Sequence, residues 1–208
     1  MCDQLEIKYY GHSCFLISYK GYAIAIDPYA PYVPGYPLLK VVANEVICSH
    51  EHQDHHYEEA VDILKTNQCN PFHITQFEVP HDEANGTLRG NTKITKLEAG
   101  DFCVVHFGDV GCMPDASILE SVHGADIIMI PVGGFYTVDA VLANQIAEAV
   151  DARVVIPMHY RIGDVGFPVL AEVQDFLCLR NDVRTCQGNS AIIKKQNHKE
   201  TILLSHVH

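Results

Sequence analysis

The chain has 208 residues, 48% hydrophobic and 19% charged, a composition that supports a globular core and excludes disordered, collagenous and coiled-coil classes. Its formal charge of −12 argues against a nucleic-acid or anionic-membrane footprint, since phosphate-rich surfaces repel such a protein. No apolar run reaches the ~18 residues a membrane helix needs, and the opening MCDQLEIKYYGHS lacks the basic and apolar regions of a secretory leader, so a cytoplasmic protein is expected.

In chain order, LEIKYY (5–10), CFLISY (14–19) and YAIAID (22–27) read as strands, being β-branched and aromatic runs bounded by Gly11 and Gly21. The Pro- and Tyr-rich segment 28–37 is a loop. EVICS (45–49) reads as a short buried strand. YEEAVDILK (57–65) has helical spacing, with Ala60, Val61 and Leu64 on one face. Segments 73–80, 92–99 and 102–108 read as strands around the turn-rich HDEANGTLRGN (81–91). From residue 114 the pattern alternates. A helix opens at Pro114 and Asp115, an apolar strand covers ADIIMIPVGG, and a second helix starts at the N-cap Asp139. RVVIPMHY is a further apolar strand, VLAEVQDFLCL (169–179) a third helix, and AIIKK and TILL closing strands. Apolar strands alternating with helices imply a sheet covered by helices. The expected architecture is one α/β domain over residues 1–208, with two packed sheets and helices outside.

Eight cysteines form no CxxC pair, so zinc-ribbon and thioredoxin-like motifs are absent, and buried free thiols in a reducing compartment are expected. The 13 histidines are an excess that prompts a search for metal, imidazole being the commonest transition-metal ligand. They concentrate in His50-Glu51-His52-Gln53-Asp54-His55, directly after a strand. In an extended loop His50, His52 and Asp54 face one side and a turn brings His55 round. Imidazole and carboxylate donors suit zinc, manganese or iron.

The order H-x-H-x-D-H after a hydrophobic strand resembles the signature of the metallo-β-lactamase superfamily. Further motifs follow in the family's order: Asp27 ending YAIAID, His81 in VPHDEANGTLRGN, Asp109 in HFGDVG and His159 in IPMHY. The phrases GHSCF, DEANGTLRG and IPVGGFYTVDA look most like a small branch of cytosolic hydrolases related to ascorbate-6-phosphate lactonase. The resemblance implies a four-layer αββα sandwich and two metal sites, His50, His52 and His81 in one and Asp54, His55 and His159 in the other, bridged by Asp109 and a hydroxide. It implies two divalent ions, zinc first, with manganese or iron(II) as alternatives. Asp27 would stand behind the ligands and orient one of them. Asp54 is also the expected proton carrier.

Other residues are weighed from their context. His12 in the GHS phrase reaches the site as a catalytic or substrate-contacting group, or else is a structural turn residue. Arg89 holds its loop or meets an anionic substrate, and Tyr136 lines the pocket. His106 reads as a hydrogen-bonded core residue, and His56 points away from the site. His73, His123, His198, His206 and His208 read as surface or structural.

The expected activity is hydrolysis of an ester, lactone or phosphodiester of a small, anionic metabolite. A mononuclear non-haem iron oxidoreductase of the sulfur dioxygenase type keeps the same motif and is the alternative; a non-catalytic binding module comes last. The partner expected is a small-molecule substrate, with no nucleic acid or membrane; a homo-oligomer is compatible with the sequence.

Overall fold

A computed structural model describes residues 3–205. Its strands are β1 (Gln4–Gly11), β2 (Cys14–Tyr19), β3 (Tyr22–Ile26), β4 (Val41–Ala43), β5 (Glu45–Ile47), β6 (Val61–Ile63), β7 (His73–Pro80), β8 (Asn91–Ala99), β9 (Phe102–His106), β10 (Ile127–Pro131), β11 (Val154–Met158), β12 (Val183–Thr185), β13 (Ser190–Lys194) and β14 (Glu200–Leu203). The helices are α1 (Ala116–Val122), α2 (Ala140–Val150) and α3 (Val173–Leu177).

The strands form a five-stranded sheet in the order β13-β1-β2-β3-β5, a seven-stranded sheet in the order β12-β14-β11-β10-β9-β8-β7, and a small β4-β6 pair. Alternation along β1 turns Leu5, Ile7 and Tyr9 inward and leaves Gln4 and Glu6 exposed, as one buried sheet face requires. The central parallel strands β10 and β11 are buried at every position, because such strands are covered on both faces. The main core joins Leu5, Ile7, Phe15 and Ile17 of the first sheet to Ile94, Leu97 and Val104 of the second.

Helix α2 packs on β10 and against α1 and α3. Asp139 caps it by accepting the Leu142 N–H at 2.8 Å, a contact typically worth about 1 kcal/mol. The other outer layer is not helical. Segment 57–65, expected as a helix, is a single 3-10 turn (Glu58–Ala60) followed by β6, which pairs in parallel with β4. Ala60 and Val61 join a second core with Tyr29, Val33, Leu39 and Val41, whereas Leu64 is 53% exposed. Partnering by β4, itself unforeseen, outweighs the weak helical spacing of a segment whose Val61 and Ile63 are β-branched and suit a strand. Segment 169–179 is helical only over Val173–Leu177, and β12 was also unforeseen. EVICS is a strand over Glu45–Ile47 alone and is half-buried at the sheet edge rather than fully covered. Cys14 is buried as expected, but Cys69 and Cys178 are exposed. No helix among the described residues is long and apolar enough to cross a membrane.

The topology brings distant residues to one place. β3 and β5 run parallel, so Asp27 and the loop after Ile47 leave the first sheet at the same end. β9, β10 and β11 are parallel and β7 reaches β9 through two antiparallel pairings. His81, Asp109 and His159 therefore leave the second sheet at one end, the end of a parallel sheet where sites are built.

Candidate metal centre

Asp27 is fully buried at the end of β3 and has a left-handed backbone (φ 49°). It accepts three hydrogen bonds: the Ser49 N–H at 2.7 Å, the Ser49 hydroxyl at 2.7 Å and His55 Nδ1 at 2.9 Å. Burial alone would raise its pKa, yet the His55 hydrogen bond and the surrounding histidines hold it below the usual carboxylate range. The Ser49 hydroxyl gives its proton to Asp27, so its oxygen accepts from His50 Nδ1 at 2.9 Å. One carboxylate thus fixes two imidazoles, His55 directly and His50 through Ser49. In both rings Nδ1 carries the donated proton, which leaves Nε2 as the lone pair aimed inward.

Asp109 stands where those lone pairs converge. Its Oδ2 is 3.1 Å from His55 Nε2, 3.5 Å from His81 Nε2 and 3.2 Å from His159 Nε2. An imidazole lone pair facing a carboxylate is repulsive unless a proton or a cation lies between them. In the bare chain, burial disfavours an imidazolium at His55, but Asp109 and Asp27 on either side prevail and hold its pKa well above the ordinary value. His50 differs: burial, reinforced by His55, lowers it to about 3. Its Nε2 is a buried lone pair with no partner among the described residues, and Asp109 Oδ1 is likewise unpartnered.

The ligand-type atoms fall into groups within 4.8 Å of one another: His50, His52 and His81; His12, Asp54, His55 and His159; and His50, His55 and Asp109. These sets contain all seven residues of the expected ligand list, with His50, His55 and Asp109 shared between neighbourhoods or central to them. Buried ligand atoms left without a partner, as His50 Nε2 and Asp109 Oδ1 are, are costly in a folded protein, while His52 stands exposed at the mouth of its set. Hard and borderline divalent cations answer that requirement, and the imidazole-carboxylate donor set fits them.

His12 is completely buried, left-handed (φ 54°), and places Nε2 3.3 Å from Asp54 Oδ2. Its ring centroid is 4.3 Å from that of His159. Burial is the main cause that lowers its pKa to about 4. Despite burial, the hydrogen bond from His12 holds the Asp54 carboxyl well below the usual range, so Asp54 is ionised. The backbone N–H of His159, also left-handed (φ 52°), donates to the His12 carbonyl at 2.9 Å. Strain of this kind persists only where packing over-determines it.

Gly108 makes the approach of Asp109 possible. With φ +52°, its added Cβ would lie 2.7 Å from both the Lys93 carbonyl and Thr92 Oγ1, so only glycine fits. Thr92 Oγ1 in turn accepts the Asp109 N–H at 3.2 Å.

The β-lactamase superfamily domain matches residues 6–159 of this chain, which spans Asp27 and every candidate ligand. The chain belongs to the metallo-β-lactamase superfamily. It is a metal-dependent hydrolase in that superfamily's α/β sandwich fold. A UPF0173 metal-dependent hydrolase of Hyperthermus butylicus is 26% identical, over 79% of this chain and 85% of its own length. Another from Thermoplasma acidophilum is 26% identical over 88% of this chain and 94% of its own. The solved structure of a candidate zinc-dependent hydrolase of the metallo-β-lactamase superfamily from Thermotoga maritima superposes with a TM-score of 0.76 at 27% identity, covering 96% of this chain and 98% of that one.

Around this metallo-β-lactamase centre lies a cavity of about 490 Å³, whose walls are Tyr32, Gln53, Tyr136 and Phe167 with Arg89 at one side. The Arg89 guanidinium sits 5.4 Å from the Tyr136 ring and 5.9 Å from that of Phe135. Arg89 and Tyr136 therefore line the cavity, as their loops suggested. The Arg89 loop is held from below by Asp82, whose carboxylate accepts the N–H groups of Ala84, Gly86, Leu88 and Arg89. Ser49, Tyr32, Gln53 and Phe167 were missed. Only the Tyr density of loop 28–37 and the hydroxyl directly before His50 hinted at two of them. Burial and the Asp54 carboxylate push the Tyr32 hydroxyl up to about 12, so it stays protonated at the cavity edge.

His106 is a core residue: its Nε2 donates to the Ser13 carbonyl at 3.0 Å and Nδ1 accepts the Gly108 N–H. His73, His123 and His198 are exposed; His206 and His208 lie outside the described residues.

Proposed function

We propose that this metal-dependent hydrolase holds two divalent ions of the zinc class and cleaves an ester, lactone or phosphodiester bond of a small, anionic metabolite. The observation that supports it best is the Asp109 carboxylate, met by three imidazole nitrogens at 3.1–3.5 Å. On this reading His50, His52 and His81 hold one ion, Asp54, His55 and His159 the other, and Asp109 touches both. Ions bound there would supply Lewis acidity for the scissile oxygen and lower the pKa of a bound water from ~15.7 toward ~7.

The chain's own residues set the rest. Asp27 and Ser49 hold the two imidazoles in one tautomer, so little reorganisation is needed when substrate enters. Asp54 is ionised and open to the cavity, and it accepts a proton and passes it to the leaving oxygen. His12 keeps Asp54 in that position. Tyr32, Tyr136 and Phe167 exclude water from the reacting bond. Arg89 receives the anionic group, and the cation–π contacts keep its guanidinium aligned.

The test begins with elemental analysis of protein from metal-sufficient cells, where about two ions per chain are expected. It continues with a hydrolysis panel of lactones, esters and phosphodiesters, lactones leading because of the branch resemblance, each in anionic and neutral form. Chelation should abolish turnover and zinc restore it. Arg89→Ala should raise KM for anionic members roughly tenfold, the loss of one charge-assisted contact, and leave neutral members unchanged. Turnover that survives chelation would refute the reading. A single iron per chain, with dioxygen uptake and no hydrolysis, would establish the oxidoreductase alternative instead.

A further inference from the structure

The segment that carries the central histidines also gathers a second donor set, which shares no residue with the central groups. Cys48, His56 and Glu58 place a sulfur, a ring nitrogen and a carboxylate oxygen within 4.8 Å of one another. His56 Nε2 lies 3.2 Å from Glu58 Oε1, and its Nδ1 lies 3.0 Å from Glu51 Oε2. Cys48 and His56 are half-buried, while Glu51 and Glu58 are exposed. We propose that Cys48, His56 and Glu58, with Glu51 beside them, form a third divalent-ion site, of the zinc class and distinct from the central pair.

The donor chemistry carries the proposal. One sulfur, one imidazole and one carboxylate supply three ligands of the kind that hold zinc, with solvent completing the tetrahedral shell and Glu51 on the opposite edge of the His56 ring adding negative charge nearby. An ordinary surface ion pair would explain His56 between two glutamates, at 0–1 kcal/mol, but it has no use for a sulfur in the same cluster. The net charge of −12 favours cation capture over anion capture at an open site. Binding forms one metal–sulfur bond and releases the thiol proton to solvent. An ion here would tie Cys48 to Glu58 across the base of the loop that holds His50, His52, Asp54 and His55. That loop would then keep its curvature while His81, Asp109 and His159, from the other sheet, are not yet engaged.

The central candidates include no cysteine, so a thiolate signal separates the two readings. The experiment is titration of the metal-free full chain with Co2+ alone, following the near-ultraviolet thiolate-to-cobalt charge-transfer band and the visible ligand-field bands. The expected result is a charge-transfer band that saturates with one equivalent. Cys48→Ser should remove the band and lower total stoichiometry by one ion. Glu58→Gln, at an exposed position that leaves folding intact, should weaken that equivalent by at least about tenfold. Cys69→Ser and Cys178→Ser should keep the band. Central ligand-field bands without a thiolate band would overturn this proposal and leave the dinuclear reading standing. A band that survives in Cys48→Ser would also overturn it. A thiolate band without any central binding would instead sink the dinuclear reading.

Discussion

His50 and His55 differ from His81 and His159 in what stands behind them. The first two are tied through Nδ1 to Asp27, one by way of Ser49. The second two have a buried Nδ1 with no partner among the described residues. Their position comes from the backbone: the His81 N–H donates to the Gly90 carbonyl at 3.0 Å and the His159 N–H to the His12 carbonyl at 2.9 Å. Close packing completes the hold, since a Cβ on Gly133 would lie 2.2 Å from the His159 carbonyl oxygen and one on Gly111 2.4 Å from the His81 carbonyl carbon. Half of the centre is therefore oriented by side-chain chemistry and half by the shape of the main chain. The first half is sensitive to loss of a carboxylate. The second is sensitive to a single added methyl group.

Asp109 belongs to neither half and contacts both, so Asp109→Ala should have the largest effect. Under the proposed two-ion arrangement, which the next predictions share, expected are loss of at least one of the two ions and hydrolysis reduced to background; unchanged stoichiometry and affinity would remove Asp109 from its central place. Next is Asp27→Asn. In the metal-free chain it breaks a buried pair with His55, at a cost of about 3–5 kcal/mol, and in the loaded chain it weakens both ions by roughly 10–100-fold. The pH dependence has a definite sign. His55 has a folded pKa raised above its unfolded value, so its contribution is fully present below about 6.5 and is lost as pH rises through the folded value. The gap in Tm between wild type and Asp27→Asn, measured without metal, should therefore narrow on going alkaline. A gap that widens would mean that His55 is not the protonated partner.

Gly133→Ala tests the other half. It should weaken the ion held by His159 and spare the one held by His50, as read by competitive metal titration; equal loss at both would mean that the two halves are one mechanical unit. Ser49→Ala should be mildest, costing roughly tenfold in affinity at the His50 ion alone. If it matches Asp27→Asn at both ions, the relay does not divide as described.

The same contrast explains what was legible in the sequence. His50, His52, Asp54 and His55 are neighbours in the chain, so their convergence is a local matter that spacing reveals. His81, Asp109 and His159 were found by their likeness to a family, because nothing local links residue 81 to residue 159. The strands β1, β2, β10 and β11 announced themselves by periodicity or unbroken apolarity. Segment 57–65 did not, because its Ala60 and Val61 answer to β4 and Tyr29 rather than to their own spacing. Ser49 and Phe167 carry no pattern at all; they matter through what the fold sets beside them, Asp27 in one case and the cavity in the other.

The two sheets each supply one wall of the centre, and this has a consequence for the chain before it is folded. His50, His52, Asp54 and His55 already stand within six residues, whereas Asp109 and His159 join them only when the two sheets are packed together, a contact of long sequence separation whose loop-closure entropy the folded state must offset. The unfolded chain is therefore not inert toward metal. It offers a short chelating segment that competes for the same ions, and whatever affinity that segment has is subtracted from the stabilisation that loading confers. Thermal protection by added metal should level off below the value that the native affinity alone would give, and the shortfall measures how well the bare segment 50–55 binds by itself.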